Sequence, residues 1–253
     1  MNLFYLTGKT AIITGASAGL GEGFARALSS AGARVILTAR RLDKLEALAA
    51  ELRNAVAIEM DVSSKESVRK AFEQLEQAGE KIDICVNNAG IALLTSVFES
   101  DDKGDFESTI QTNLMGVWYV TKAVANHMKN HGIHGSIINI GSVNGDAFPA
   151  VVGHAYNASK AAVMHMTKGL VGELSPHNIR INSISPGFFI TEMTKETRES
   201  MGEALFNKIP MGFGADPSDM TGTILYLASN KASRYVTGTC LTIDGGISWS
   251  GWA

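Results

Sequence analysis

The chain has 253 residues, 45% of them hydrophobic and 19% charged, with a formal net charge of −3. This supplies apolar material for one substantial core and excludes a disordered chain, while the slight acidity excludes a dominant electrostatic attraction to nucleic acid or an anionic membrane. The opening stretch MNLFYLTGKTAIITG lacks the layout of a signal peptide, and no window holds an apolar run long enough to span a bilayer, so a soluble cytoplasmic protein acting on small molecules is expected.

Short β-branched runs alternate with longer amphipathic stretches along the whole chain. TAIIT (10–14), RVILT (34–38), AVAIEM (55–60), IDICVNN (82–88), SIINI (136–140), RINSIS (180–185) and TCLTI (239–243) read as strands. The intervening segments, whose apolar residues recur every three or four positions, read as helices. Strands that are nearly all apolar and separated by helices predict a parallel sheet covered on both faces, the doubly wound α/β arrangement, in a single domain covering residues 1–253. Cys85 and Cys240 fall inside apolar strand-like runs and are expected to be buried free thiols.

Immediately after the first strand, TGASAGLG places glycines at 15, 19 and 21 ahead of a helix. Glycine there permits a tight turn and lets the backbone approach a pyrophosphate, which helix N-terminal amides then meet. Taken alone, the loop is also compatible with a plain strand-to-helix turn. The pair Tyr156 and Lys160 in YNASK lies four residues apart, which puts both on one helix face; a nearby ammonium favours the phenolate and makes tyrosine a usable acid or base. Taken alone, such a pair is more often an amphipathic helix surface than a catalytic one, and only its context reverses this.

The glycine loop, NNAG at 87–90 and Y-x-x-x-K at 156–160, in this order and over residues 8–246, resemble the classical short-chain dehydrogenase/reductase family. The resemblance implies a Rossmann-type domain with a seven-stranded parallel sheet, a nicotinamide dinucleotide and a homotetramer. It assigns Gly15, Ser17, Ala18, Gly19, Leu20 and Gly21 to the phosphates, and Asp61 with the backbone of Val62 to the adenine. Asn88, Ala89 and Gly90 pass over the ribose, while Pro186, Gly187, Phe189 and Thr191 hold the nicotinamide end. Ser142 would bond the substrate oxygen, and Asn113 would hold a water linking Lys160 to solvent. Ser142 and Tyr156 stand 14 positions apart, one more than in many relatives, which puts an extra residue in the substrate-facing loop.

Cofactor choice is read from LTARR. NAD-preferring relatives carry an acidic residue after the second strand; here Ala39 stands there, followed by Arg40 and Arg41, whose guanidinium groups match a 2′-phosphate. NADP(H) is favoured, with NAD(H) possible, and Ala18 occupies the place where some NADP-preferring relatives carry a second basic residue.

The remaining signals are weaker. Asn144, Phe148, His154, Phe188 and Met193, with Leu93, Leu94 and Phe189, form a mostly apolar candidate pocket for a carbonyl or alcohol substrate. Residues 191–209 are expected to form a helical lid, and Trp249 and Trp252 to pack at a subunit interface. His127, His131 and His134 are read as a helix C-terminus and its flank, with no carboxylate at a spacing that would complete a metal site, so no metal is expected. The complete Asn113, Ser142, Tyr156 and Lys160 set favours a ketone reductase or alcohol dehydrogenase. Within the enzyme class the alternative is a 3-oxoacyl thioester reductase, and outside it a catalytically silent cofactor-binding regulator.

Overall fold

A computed structural model describes residues 3–93, 97–98, 105–147, 153–201 and 203–252. In chain order, β1 (Thr10–Thr14), α1 (Gly19–Ser30), β2 (Arg34–Ala39), α2 (Leu42–Glu51), β3 (Ala55–Glu59), α3 (Lys65–Gln77) and β4 (Ile84–Asn87) form the first half. The second half contains α4 (Asp105–Ile110), a π-helical turn (Gln111–Met115), α5 (Gly116–Asn130), β5 (Ser136–Ile140), α6 (His154–Gly169), α7 (Val171–Leu174) and β6 (Arg180–Pro186). It ends with α8 (Lys195–Met201), α9 (Glu203–Phe206), α10 (Thr221–Ala228), α11 (Asn230–Ser233) and β7 (Cys240–Ile243).

All seven strands pair in parallel, in the order β3-β2-β1-β4-β5-β6-β7. Alternate residues of each strand feed two cores. Ile13, Leu37, Val86 and Ile138 face one layer with Phe24 and Leu28 of α1 and Ile224 and Leu227 of α10. Their chain neighbours Ile12, Ile36, Cys85 and Ile137 face the other, with Val68 and Leu75 of α3 and Val120 and Val124 of α5. The two-residue period of a strand requires this division, and it explains why the strands read as continuous apolar runs. Each such side chain contributes about 1.5–3 kcal/mol by leaving water. Cys85 is buried and Cys240 half-buried, both unpaired as thiols, and burial pushes the Cys85 thiol far up.

The strand order reverses at β1/β4, which opens a crevice at the carboxyl ends of these strands. A buried polar chain fixes the helices beside it. Asn87 Nδ2 donates to Thr121 Oγ1 at 2.9 Å and to Asn139 Oδ1 at 2.8 Å, and Asn139 Nδ2 donates to Thr167 Oγ1 at 2.9 Å. β4 and β5 are thereby bonded to α5 and α6. Buried amides are retained only when paired in this way. Leu94 and residues 148–152 of the loop carrying the extra residue, Phe148 among them, lie outside the described residues. No helix among the described residues is long and apolar enough to cross a membrane.

Candidate active site

The helix α6 starts at His154, so Tyr156 and Lys160 sit one turn apart within it, and Lys160 Nζ lies 5.6 Å from the centre of the Tyr156 ring. Lys160 is only 4% exposed and donates to the Ile140 carbonyl at 2.8 Å, at the end of β5. Burial disfavours its charged form and pushes its pKa down to about 8. Burial also raises the Tyr156 phenol, while a hydrogen bond with Ser142 opposes the rise. The direction is opposite to the lowering expected from the spacing of tyrosine and lysine, because burial is the largest influence on the phenol. Ser142 is itself buried and caps a short 3-10 turn (Val143–Gly145), its Oγ accepting from the Asn144 amide at 3.2 Å.

Asn113 is fully buried in the π turn between α4 and α5. Its Oδ1 accepts from the Ile91 amide at 2.8 Å, and its Nδ2 donates to the Ile91 carbonyl at 2.8 Å and to Ser159 Oγ at 3.1 Å. Ser159 Oγ in turn donates to the Tyr156 carbonyl at 2.7 Å. The wider helical turn, a common feature of functional sites, therefore lets one amide tie the segment after β4 to the helix carrying Tyr156 and Lys160.

Ser142, Tyr156 and Lys160, with Ile91 and Ile140, line part of a cleft of about 510 Å³, while Asn113 and Ser159 brace it from outside the lining. The glycine loop, Arg40, Arg41, Asp61, Val62, Asn88, Ala89, Gly90, Pro186, Gly187, Phe189, Thr191 and Met193 line the rest. Gly15 has φ +66°, and a Cβ there would lie 2.8 Å from Ala89 Cα; a Cβ on Gly21 would lie 2.2 Å from the Gly15 carbonyl. Gly21 accordingly shapes the loop from behind. No side chain caps the N-terminus of α1 at Ala18, so its first amides and positive dipole end face the cleft. Thr14 Oγ1 accepts from the amides of Asn88 and Ala89, both at 3.0 Å, which holds the second lining segment against the first. Asp61 accepts from the amide and hydroxyl of Ser63 at 2.9 and 2.7 Å, whereas Ser64 caps α3, so the aspartate is left at the cleft wall.

Phe188 and His154 are placed differently from the cleft residues. Phe188 packs edge-on against Phe206, at 6.1 Å, beside the cluster of Val143, Ile209 and Ile247 at the foot of the lid region. His154 is exposed at the start of α6, and Asn144 is half-buried in the turn after Ser142. Residues that the sequence reading did not select, among them Thr112, Glu192 and Thr194, also line the cleft; no motif marks them, because tertiary folding alone brings them there. A larger and more open hollow of about 970 Å³ lies outside α1, walled by Phe4, Tyr5, Arg26, Lys195, Pro217 and Leu225, and contains none of the Ser, Tyr and Lys set.

Residues 15–248 match the family model described as enoyl-(acyl carrier protein) reductase. The chain belongs to the short-chain dehydrogenase/reductase family. It is 36% identical to a 3-oxoacyl-(acyl-carrier-protein) reductase of Aquifex aeolicus over 96% of this chain and 98% of that protein. A galactitol 2-dehydrogenase of Cereibacter sphaeroides is 37% identical, over 96% of each chain. Among solved structures, a gluconate 5-dehydrogenase from Burkholderia cenocepacia in complex with NADP and tartrate superposes with a TM-score of 0.89 at 35% identity, covering 97% of each chain. This short-chain dehydrogenase/reductase is therefore an oxidoreductase acting on CH–OH groups of small molecules, in a family that binds NAD(P). The glycine cradle, the uncapped helix end and the elongated cleft fit such a dinucleotide.

One expectation needs correcting. Glu76 on α3 does join His127 and His131, completing a group of two imidazoles and a carboxylate that spacing along the chain could not reveal. Its hydrogen bonds give it a structural role. The Ile82 amide donates to His127 Nε2 at 3.1 Å, so His127 Nδ1 carries the proton and donates to Glu76 at 3.0 Å. Lys81 donates to His131 Nδ1, and His131 Nε2 donates to Glu76 at 2.9 Å. With both His127 nitrogens engaged, the group clamps α3 to α5, and burial holds the His127 pKa below its ordinary value.

Proposed function

We propose that this short-chain dehydrogenase/reductase is an NADP(H)-dependent ketone reductase, acting in reverse as a secondary alcohol dehydrogenase, with Tyr156 as its acid and base. The observation that carries this reading is the junction of Ser142, Tyr156 and buried Lys160 in the glycine-walled cleft. When bound, the nicotinamide supplies or accepts the hydride. The protein's part is proton handling and orientation. Ser142 donates to the carbonyl oxygen and fixes it beside the Tyr156 hydroxyl, which protonates that oxygen as negative charge develops. Lys160, with its pKa near 8, sits close enough to working pH to re-supply the proton and to favour the phenolate when charged. Asn113, whose side chain is held by Ile91 and Ser159, would hold the relay water that links Lys160 to solvent.

Arg40 and Arg41, with Ser17 opposite them, supply donors for a 2′-phosphate at the adenosine end. The Gly21→Ala substitution is expected to weaken NADP(H) binding at least about tenfold and to lower stability by about 1–3 kcal/mol, because its new methyl displaces the Gly15 carbonyl. Calorimetric titration and thermal unfolding of the same variant check both effects.

For substrate, the similarity to galactitol and gluconate dehydrogenases favours a polyol or its ketone, and the similarity to the Aquifex enzyme keeps 3-oxoacyl thioesters as a second class. A cytoplasmic homotetramer completes the reading, with exposed Trp118, Tyr235 and Trp249 as the side chains a subunit contact would cover. A screen of sugar ketones, simple ketones, steroids and acetoacetyl thioesters, followed by NADPH absorbance, tests the proposal. The expected result is turnover of a carbonyl with higher kcat/KM for NADPH than for NADH; a preference for NADH refutes the cofactor assignment, and inertness toward every carbonyl refutes the activity.

A further inference from the structure

The guanidinium of Arg41 is engaged on both sides of the cleft. Its Nε and Nη2 donate to Ser17 Oγ at 3.2 and 3.1 Å, and its Nη1 lies 3.5 Å from Glu192 Oε2. Glu192 follows Thr191 at the start of the lid region, 151 positions from Arg41, and both side chains line the cleft. Both are also substantially exposed, at 43% for Arg41 and 65% for Glu192. A 2′-phosphate brought to Arg41 and Ser17 therefore meets a carboxylate already drawn to the same guanidinium. Two anions compete there for one cation, and they repel each other across a short gap.

We infer that Glu192 is a determinant of cofactor discrimination: its carboxylate competes with the 2′-phosphate for Arg41 and narrows the preference for the phosphorylated dinucleotide over the unphosphorylated one. This rests on the NADP(H) reading above. Exposed ion pairs are weak, so the competition is a modest effect, worth about two- to fivefold in affinity, and it declines as salt screens it.

The test uses adenosine 2′,5′-bisphosphate and adenosine 5′-monophosphate as probes, titrated calorimetrically into wild type, Glu192→Gln and Arg41→Ala at 50 and 500 mM NaCl. Glu192→Gln should tighten the bisphosphate about two- to fivefold at low salt and less at high salt, with the monophosphate unchanged. Arg41→Ala should weaken the bisphosphate alone, by about tenfold. If Glu192→Gln leaves the bisphosphate unchanged, or tightens both probes equally, while Arg41→Ala weakens it as stated, the competition is overturned and the NADP(H) assignment stands. If wild type binds both probes equally and Arg41→Ala alters neither, the cofactor assignment falls, and the inference with it.

Discussion

Tyr156→Phe is expected to lower kcat by about a thousandfold, with the dissociation constant for NADPH within about threefold of wild type and the protein folded. The substitution removes one hydroxyl, the proposed proton donor to the substrate oxygen, and a positioned general acid is worth about 10²–10⁴ in rate. The ring stays in place on α6, one turn from Lys160, so the packing that shapes the cleft survives. What is lost besides the proton is the hydrogen bond with Ser142, which costs about 1 kcal/mol at most. Steady-state kinetics beside a binding titration separates these effects: a fall confined to kcat supports the acid assignment, and near-normal kcat in the Tyr156→Phe variant removes the tyrosine from the chemistry.

Lys160→Met gives the second large effect, in which stability and turnover move in opposite directions. In the folded chain the amine is held at about 8, against 10.5 for an ordinary lysine, because burial penalises its charge. Between these values the unfolded chain binds more protons, so stability rises with pH there; below pH 8 the penalty is complete and amounts to about 3 kcal/mol. Methionine keeps most of the stem and removes the charge, but leaves the Ile140 carbonyl without its donor, which costs about 1 kcal/mol. The variant is expected to melt a few degrees higher than wild type at pH 7, to lose this advantage as pH rises toward 10.5, and to turn over at least a hundredfold more slowly. Thermal unfolding across pH 7–10, with kinetics at pH 7, checks all three. A variant that melts lower at pH 7 would show that the amine is stabilising, and its assigned electrostatics would be wrong.

The architecture was legible because its signals are local. Alternating apolar strands and amphipathic helices follow from covering a parallel sheet on both faces, and all seven strands appear within a residue or two of their sequence positions. TGASAGLG and YNASK were legible as local geometry, a strand-to-helix turn and a pair on one helix face, and only their order along the chain with NNAG pointed to a shared site. What the sequence could not reveal depends on distant segments meeting. Glu76 reaches His127 and His131 across 51 and 55 positions, and Glu192 reaches Arg41 across 151. The Asn87–Asn139–Thr167 chain that braces the site looks, in sequence, like polar interruptions of apolar runs. The sign of the Tyr156 shift was also hidden: spacing brings the lysine near, but the direction follows from burial, which chain spacing does not report.

If hydride passes between the dinucleotide and a carbonyl carbon with Tyr156 handling the proton, the path of the label shows it: the protein is incubated with NADPH dideuterated at C4 and a substrate that offers both a carbonyl and a conjugated carbon–carbon double bond, and the deuterium is located by mass spectrometry and NMR. The predicted result is deuterium on the carbinol carbon of an allylic alcohol, formed by wild type and nearly absent with Tyr156→Phe. Deuterium on the former alkene carbon, with the carbonyl intact, would contradict it.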